Sequence, residues 1–170
     1  LRQTVLHPDD QAIYRYGNHD FGVVRYPRIQ RMTGPGHKIA TGYHIIKVYV
    51  NGPAYATYNV STTPAIILRY GEVLLNYAEA KAELGTITQG DLDLSINLLR
   101  DRVAMPAMTM AVPMDPVFAN DGVSALIAEI RRERRVELFM EGFRYDDLRR
   151  WKQGKKLEVK SYGIRWDAAN

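Results

Sequence analysis

The sequence predicts a mostly α-helical fold of antiparallel helix pairs, preceded by an irregular amino-terminal segment with a small β-hairpin. Three observations carry this. Apolar residues recur at helical spacing from Pro64 onward. The stretch Leu126 to Lys152 is densely charged yet nearly balanced, with Arg131, Arg132, Arg134, Arg135, Arg144, Arg149, Arg150 and Lys152 against Glu129, Glu133, Glu137, Glu141, Asp146 and Asp147. Residues 1–63 carry most of the tyrosines, all four histidines and clustered turn formers.

Taken in order, residues 1–63 form an irregular, tyrosine-rich segment. The run Thr33 to Gly42 has loop chemistry. Tyr43 to Val50 alternates as a strand with Ile46, Val48 and Val50 on one face. Asn51-Gly52 offers a tight turn, and Ala54 to Val60 returns, so a hairpin is expected over 43–60. Pro53 makes that return imperfect. Residues 64–155 are expected to be the helical core. Pro64 suits a helix start and Gly85 a stop. Between them Ile67, Tyr70, Gly71, Leu74, Tyr77 and Ala78 form an apolar stripe, and Glu72, Asn76, Glu79 and Glu83 a polar one. A second helix is expected over about 91–103, with Leu92, Ile96, Leu99 and Val103 inward. Pro106, Pro113 and Pro116 mark a loop. Asn120 or Asp121 is expected to cap a third helix running to about Glu141, where Gly142 breaks it, and a fourth covers about 143–153. Small residues at Gly71, Ala78, Ala80 and Ala82 permit close helix approach, so the packing expected is tetratricopeptide-like, although that repeat's consensus is not matched. Residues 156–170 form a tail whose Val159, Tyr162 and Trp166 are candidates for packing back.

Composition narrows the function classes. A chain of 170 residues can bury roughly 70% of its unfolded surface. A net charge of +4 is too small to demand a polyanionic partner. Without cysteine there are no disulfides, thiolate metal sites or cysteine nucleophiles. No apolar run is long enough to span a membrane as a helix.

The chemistry-bearing residues read mostly as structural. Glu133, Glu137 and Glu141 fall in one helical row with Arg134 and Arg144 near it. Two carboxylates at such spacing could serve a glycosidase, but neighbouring helical turns reach it trivially. Structural salt bridges are therefore expected, Glu79 with Arg100 and Glu137 with an arginine such as Arg144. His7, His19, His37 and His44 follow no ligand spacing, so no metal and no cofactor are expected. Ser61, Ser95, Ser124 and Ser161 lack a nucleophile-elbow context. Gly34 to Lys38 resembles a phosphate loop only superficially, because Ile39 stands where Ser or Thr is needed. Glutamates interleave Arg131 to Arg135, which argues against nucleic acid. Tyr14, Tyr16 and Tyr26 are candidates for stacking on sugar rings.

Three blocks then point to a family. Ile67 to Gly85 reads ILRYGEVLLNYAEAKAELG, and Ile96 to Pro106 reads INLLRDRVAMP. The third follows the pattern ExRRxELxxEGxRxxDLxRW, with Glu133, Arg134, Arg135, Glu137, Leu138, Glu141, Gly142, Arg144, Asp147, Leu148, Arg150 and Trp151. In this order the blocks resemble the SusD/RagB family. The resemblance implies structural roles for Arg69, Glu72, Asn76, Glu79, Asn97, Arg100 and Arg102 in the first two blocks and for the matching residues of the third. It also implies a non-enzymatic glycan-binding lipoprotein, surface-exposed on the outer membrane, that serves a SusC-like TonB-dependent transporter. Family members are longer, begin with a signal peptide and a lipid-anchor cysteine, and continue past the third block into a Pro-rich ending. The chain is therefore expected to be a carboxyl-side fragment that contributes scaffold, with any membrane contact made through an anchor elsewhere. The alternative is a free-standing helical-repeat adaptor for a protein or peptide partner.

Overall fold

The computed structural model describes residues 64–158, together with Thr4, Ile45, Lys47, Thr62 and the backbone of residues 15–16 and 19–20. The chain divides into two compact units, residues 1–65 with 157–170, and residues 66–156. In the first, β1 (Arg15–Tyr16) and β2 (His19–Asp20) pair antiparallel, Arg15 opposite Asp20 and Tyr16 opposite His19. Of the hairpin expected over 43–60 only Ile45, a bridge residue, and Lys47, in a turn, are described, and the packing of Val159, Tyr162 and Trp166 lies outside the described residues.

The second unit is helical. Helix α1 spans Tyr70–Glu83, α2 Gln89–Asp93, α3 Ile96–Asp101, α4 Ala125–Glu137 and α5 Arg144–Arg150. Single 3₁₀ turns lie at Pro116–Phe118 and Gly154–Leu157. No helix among the described residues is long and apolar enough to cross a membrane.

Helix α1 starts at Tyr70 rather than Pro64. Residues 64–69 lack a helix-capping side chain, and Arg69 itself sits in an extended conformation at the N-cap. The end falls where expected, in a Schellman turn. Thr86 N–H donates to the Lys81 carbonyl and Gly85 N–H to that of Ala82, with Gly85 at φ +67°. The buried face is rotated from the expected stripe. Gly71, Leu74, Leu75, Ala78, Glu79 and Ala82 point inward, while Ile67, Tyr70 and Tyr77 are exposed. The polar residue Glu79 outranked the aromatics because Arg150 and the buried Trp151 await it.

The single helix expected over 91–103 is two. Thr88 opens α2 with a capping box: its hydroxyl accepts from Asp91 N–H, while the Asp91 carboxylate accepts from Thr88 N–H at 2.8 Å. The chain then turns at Leu94 and Ser95. Ser95 is fully buried, and its hydroxyl donates to the Asp91 carbonyl at 2.5 Å. That side-chain bond competes with helix continuation. The break brings both Leu92 and Ile96 to 0% exposure.

Helix α4 is capped by Ser124, whose hydroxyl accepts from Ile127 N–H, rather than by Asn120 or Asp121. Asp121 is taken by Lys156. The helix ends at Glu137, not Glu141, and the chain reverses through Met140 (φ +64°) and Gly142 (φ +89°). Glu141 therefore does not continue the helical row of Glu133 and Glu137. Helix α5 stops at Arg150 rather than Gln153, with Lys152 at φ +56°.

The core lies between α1 and α4. Leu74, Leu75, Ala78 and Ala82 meet Ile130, with Leu92, Ile96, Leu99, Met108 and Leu138 closing the sides. Leu75→Ala or Ile130→Ala should cost about 2–5 kcal/mol in urea unfolding, since each removes a fully buried aliphatic group. Val117→Ala, at an exposed site, should change stability by no more than about 0.5 kcal/mol.

The capping box also gives a pH dependence. Hydrogen bonds from the Tyr77 and Thr88 hydroxyls hold the Asp91 carboxyl down at about 2. A folded-state value below the unfolded one contributes stability above the ordinary carboxylate range of about 4, and that contribution is lost as pH falls toward the folded value. Tyr77→Phe should therefore move the acid-unfolding midpoint to higher pH, and circular dichroism between pH 5 and 2 reads the shift. An unchanged midpoint would mean the Tyr77 hydroxyl adds nothing to Asp91.

Candidate functional site

Most charged residues of the three blocks fall into a lattice of three nodes, each of which includes residues of α4. Its first node is Arg69, just ahead of α1. Its Nε donates to both Glu141 oxygens at 2.9 and 2.7 Å, its Nη1 to Glu137 Oε1 at 2.6 Å and its Nη2 to the Glu137 carbonyl at 2.6 Å. Arg102 holds the other Glu137 oxygen at 2.8 Å. Gly71 makes room for this clamp, because a Cβ there would lie 2.6 Å from Arg69 Nη1 and 3.3 Å from Glu137 Oε1. Burial works against the Arg69 charge, but its hydrogen bonds to Glu141 and Glu137 outweigh it and raise its pKa.

The second node is Arg100 on α3. Its Nε and Nη2 reach Glu133 at 3.0 and 2.7 Å, its Nη2 also reaches Glu129 at 2.6 Å, and its Nη1 caps the Pro106 carbonyl. Arg132 forks onto Glu129 at 2.7 Å through both nitrogens. That fork, with help from Arg100 and against the opposing effect of burial, holds the Glu129 carboxyl below its usual range.

The third node is Glu79, 3% exposed in the middle of α1. Arg150 grips it bidentately at 2.7 and 2.8 Å, and the Trp151 indole N–H donates to it. The hydrogen bond to Glu79 raises the Arg150 pKa. Arg150 also reaches Asp147 at 3.0 Å, and Arg134 donates to both Asp147 oxygens and to Asn76. Guanidinium groups of Arg131, Arg144 and Arg150 lie 4.7, 5.9 and 5.2 Å from the Trp151 ring centre.

Two expected pairings are corrected. Glu79 pairs with Arg150 and Trp151 instead of Arg100, and Glu137 pairs with Arg69 and Arg102 instead of Arg144. Rotation of α1 and the break before α3 redirect both. Asn97 works outside the lattice, exchanging hydrogen bonds with the Met108 N–H and carbonyl and so pinning the loop after α3. Gly142 supplies the left-handed turn, and Leu148 is buried. Glu72 stands apart from the lattice. It lines a cavity of about 270 Å³ with Ile66, Ile67, Leu68, Arg69, Met140, Glu141 and Phe143.

Sequence reasoning missed Glu129, Arg131 and Arg132 as lattice members. The three-residue step from Glu129 to Arg132 was the available signal. Tyr14, Tyr26, His7, His37 and His44, with the side chains of Tyr16 and His19, lie outside the described residues. Among the described residues no His, Asp and Glu group could hold a metal ion. Chemically the lattice suits structure better than turnover: its carboxylates are saturated by arginines, and Glu129 is pushed away from the raised pKa a general acid needs.

Glu79→Gln should lose about 1–3 kcal/mol of stability, because the buried Trp151 indole N–H and the half-exposed Arg150 fork then face a neutral, weaker acceptor. Asp146→Ala, which removes an exposed pair at 3.6 Å, should lose about 0–1 kcal/mol. Equal urea midpoints for the two variants would show the lattice to be merely solvated charge.

Comparison with known proteins agrees with this geometry. The family model for the SusD family matches residues 11–169. A SusD-like protein of Formosa agariphila is 36% identical over 101 residues, 59% of this chain and 19% of that protein. The crystal structure of a SusD-like carbohydrate binding protein from Bacteroides fragilis superimposes with a TM-score of 0.57 at 33% identity, over 71% of this chain and 22% of that one. The matched stretch thus spans about a fifth of either relative's length. With many of its motif residues gathered in these nodes and its length matched almost throughout, the chain belongs to the SusD family.

Proposed function

We propose that this chain is the helical scaffold of a surface glycan-binding protein that hands glycans, or other nutrients, to a SusC-like TonB-dependent transporter. The observation that carries the reading is the saturated lattice. Arg69, Arg100, Arg134 and Arg150 spend their donors on internal carboxylates, which holds helices in place and leaves little for turnover. Family membership and the carbohydrate-binding relative support the glycan. In this reading residues 64–155 act as a core of tetratricopeptide-like helix pairs, and residues 1–63 join the rest of a longer, lipid-anchored protein at the outer membrane. Tyr14, Tyr16 and Tyr26 remain the candidates for sugar contact. Capture is passive, through stacking and hydrogen bonding, and no bond of the glycan is broken.

The test compares two proteins. Titration calorimetry of these 170 residues against oligosaccharides of starch, fructan, host glycan and plant fibre should give nothing tighter than about millimolar, roughly −4 kcal/mol. A longer protein containing them should bind one class more tightly, and neither should release reducing ends. Micromolar binding by the 170 residues, lost on Tyr14→Ala or Tyr26→Ala, would move the glycan site into this segment. Turnover abolished by Glu137→Gln would overturn the binding-protein reading altogether.

A further inference from the structure

One carboxylate beside the lattice differs from those inside it. Glu72, in the first turn of α1, is partly buried, yet among the described residues no hydrogen bond or ion pair reaches its side chain. The nearest cation along the chain is Arg69, and its Nε, Nη1 and Nη2 are directed at Glu141 and Glu137. A first-turn position favours an acid electrostatically, but it leaves both carboxylate oxygens without a donor.

Glu72 opens onto the cavity of about 270 Å³. One wall is the approach to α1, with Ile66, Ile67 and Leu68, and the other is the turn between α4 and α5, with Met140 and Phe143. The Arg69–Glu141 bridge at 2.7 Å ties the two walls together, and Phe143 packs against the core. The site is therefore built in advance of any occupant. Its rim is apolar: Ile66, Leu68 and Met140 are exposed, and Ile67 is 92% exposed. Three consecutive aliphatic residues facing water are unfavourable unless something covers them. The volume lies just below the roughly 300–1,000 Å³ of sites for drug-sized ligands, which suits a single side chain.

We propose that this cavity docks a protein segment that inserts an arginine, its guanidinium on Glu72 and its apolar neighbours on Ile66, Ile67, Leu68 and Met140. Charge complementarity selects the occupant. An acidic side chain would face Glu72 and Glu141 together, and an aliphatic one would leave Glu72 unpaired. An arginine lays its aliphatic stem along the apolar rim and presents a planar fork to two vacant carboxylate oxygens. Its weaker hydration makes it better suited than lysine to a partly buried site. The inference stands apart from the glycan reading, because no sugar takes part in it.

An NMR titration of the 170-residue chain at fixed ionic strength tests it. The probe is the peptide acetyl-Leu-Arg-Leu-amide. One control replaces its arginine by citrulline, which keeps the shape and loses the charge, and the other is guanidinium chloride, which has the charge without the flanking residues. The arginine peptide should give saturable shifts at the amides of residues 66–72 and 140–143. The citrulline peptide should bind about tenfold or more weakly, the loss of one charge-assisted contact. Glu72→Gln should bring the same loss while its urea midpoint stays near that of the parent, since Glu72 has no partner to forfeit. Glu83→Gln removes an equal charge from the far end of α1 and should leave affinity unchanged. No saturable response, equal binding of the citrulline peptide or of guanidinium alone, or equal loss in both variants would overturn the site. A dimer of the chain that Glu72→Gln dissociates would overturn the occupant and put a second copy in its place.

Discussion

The fold of residues 66–156 depends on keeping Glu79 charged in its interior. A carboxylate at 3% exposure is tolerable only with donors of good geometry around it. Arg150 supplies a bidentate fork and Trp151 an indole N–H, both from the far side of the unit. To deliver them, α5 must lie against α1, and Asp147 must in turn orient Arg150 while it binds Arg134 from α4. One buried charge thus dictates the placement of three helices. The apolar core beside it supplies most of the driving force, but aliphatic contacts tolerate sliding. Bidentate pairs do not, so the lattice fixes the register in which α1, α4 and α5 meet.

The same logic explains why the lattice is distributed. Arg69 ties the approach to α1 onto the end of α4, and Arg100 ties α3 to its middle. Each node uses an arginine, whose rigid planar fork holds two acceptors in a fixed geometry that a lysine's compact ammonium does not impose. The glutamates alternate with arginines along α4, so one helix offers acceptors to α3 and donors to α1 and α5. That arrangement turns α4 into a hub without a net charge large enough to attract polyanions.

Much of this was legible in sequence, and the failures are instructive. The mostly helical character, the Gly85 stop and part of the lattice membership followed from spacing and from the three family blocks. The partner assignments did not. Assigning Glu79 to Arg100 assumed one continuous second helix and an aromatic buried stripe on the first. Ser95 breaks that helix with a side-chain hydrogen bond, and Glu79 displaces Tyr77 from the interior. Both are tertiary decisions, in which a buried charge or hydroxyl with its partner in place outweighs local periodicity. Helix starts failed for a related reason: Pro64 and Asp121 are chemically suitable, but Arg69 and Ser124 hold the positions that the lattice requires.

The spacing of the Glu79 contacts carries a consequence for synthesis. Arg150 and Trp151 lie 71 and 72 residues downstream of it. Helix α1 therefore leaves the ribosome with a carboxylate whose hydrogen-bonding partners follow only when nearly the whole unit has been made. At about 5–20 residues per second, that interval is on the order of several seconds. During it the inward face of α1 stays wet, since burying an unmatched carboxylate is costlier than leaving it in water. The Glu79 contacts are then completed only when the last helix is made, and a nascent chain stalled ahead of Arg150 has the apolar partners of α1 but only Arg131 beside Glu79.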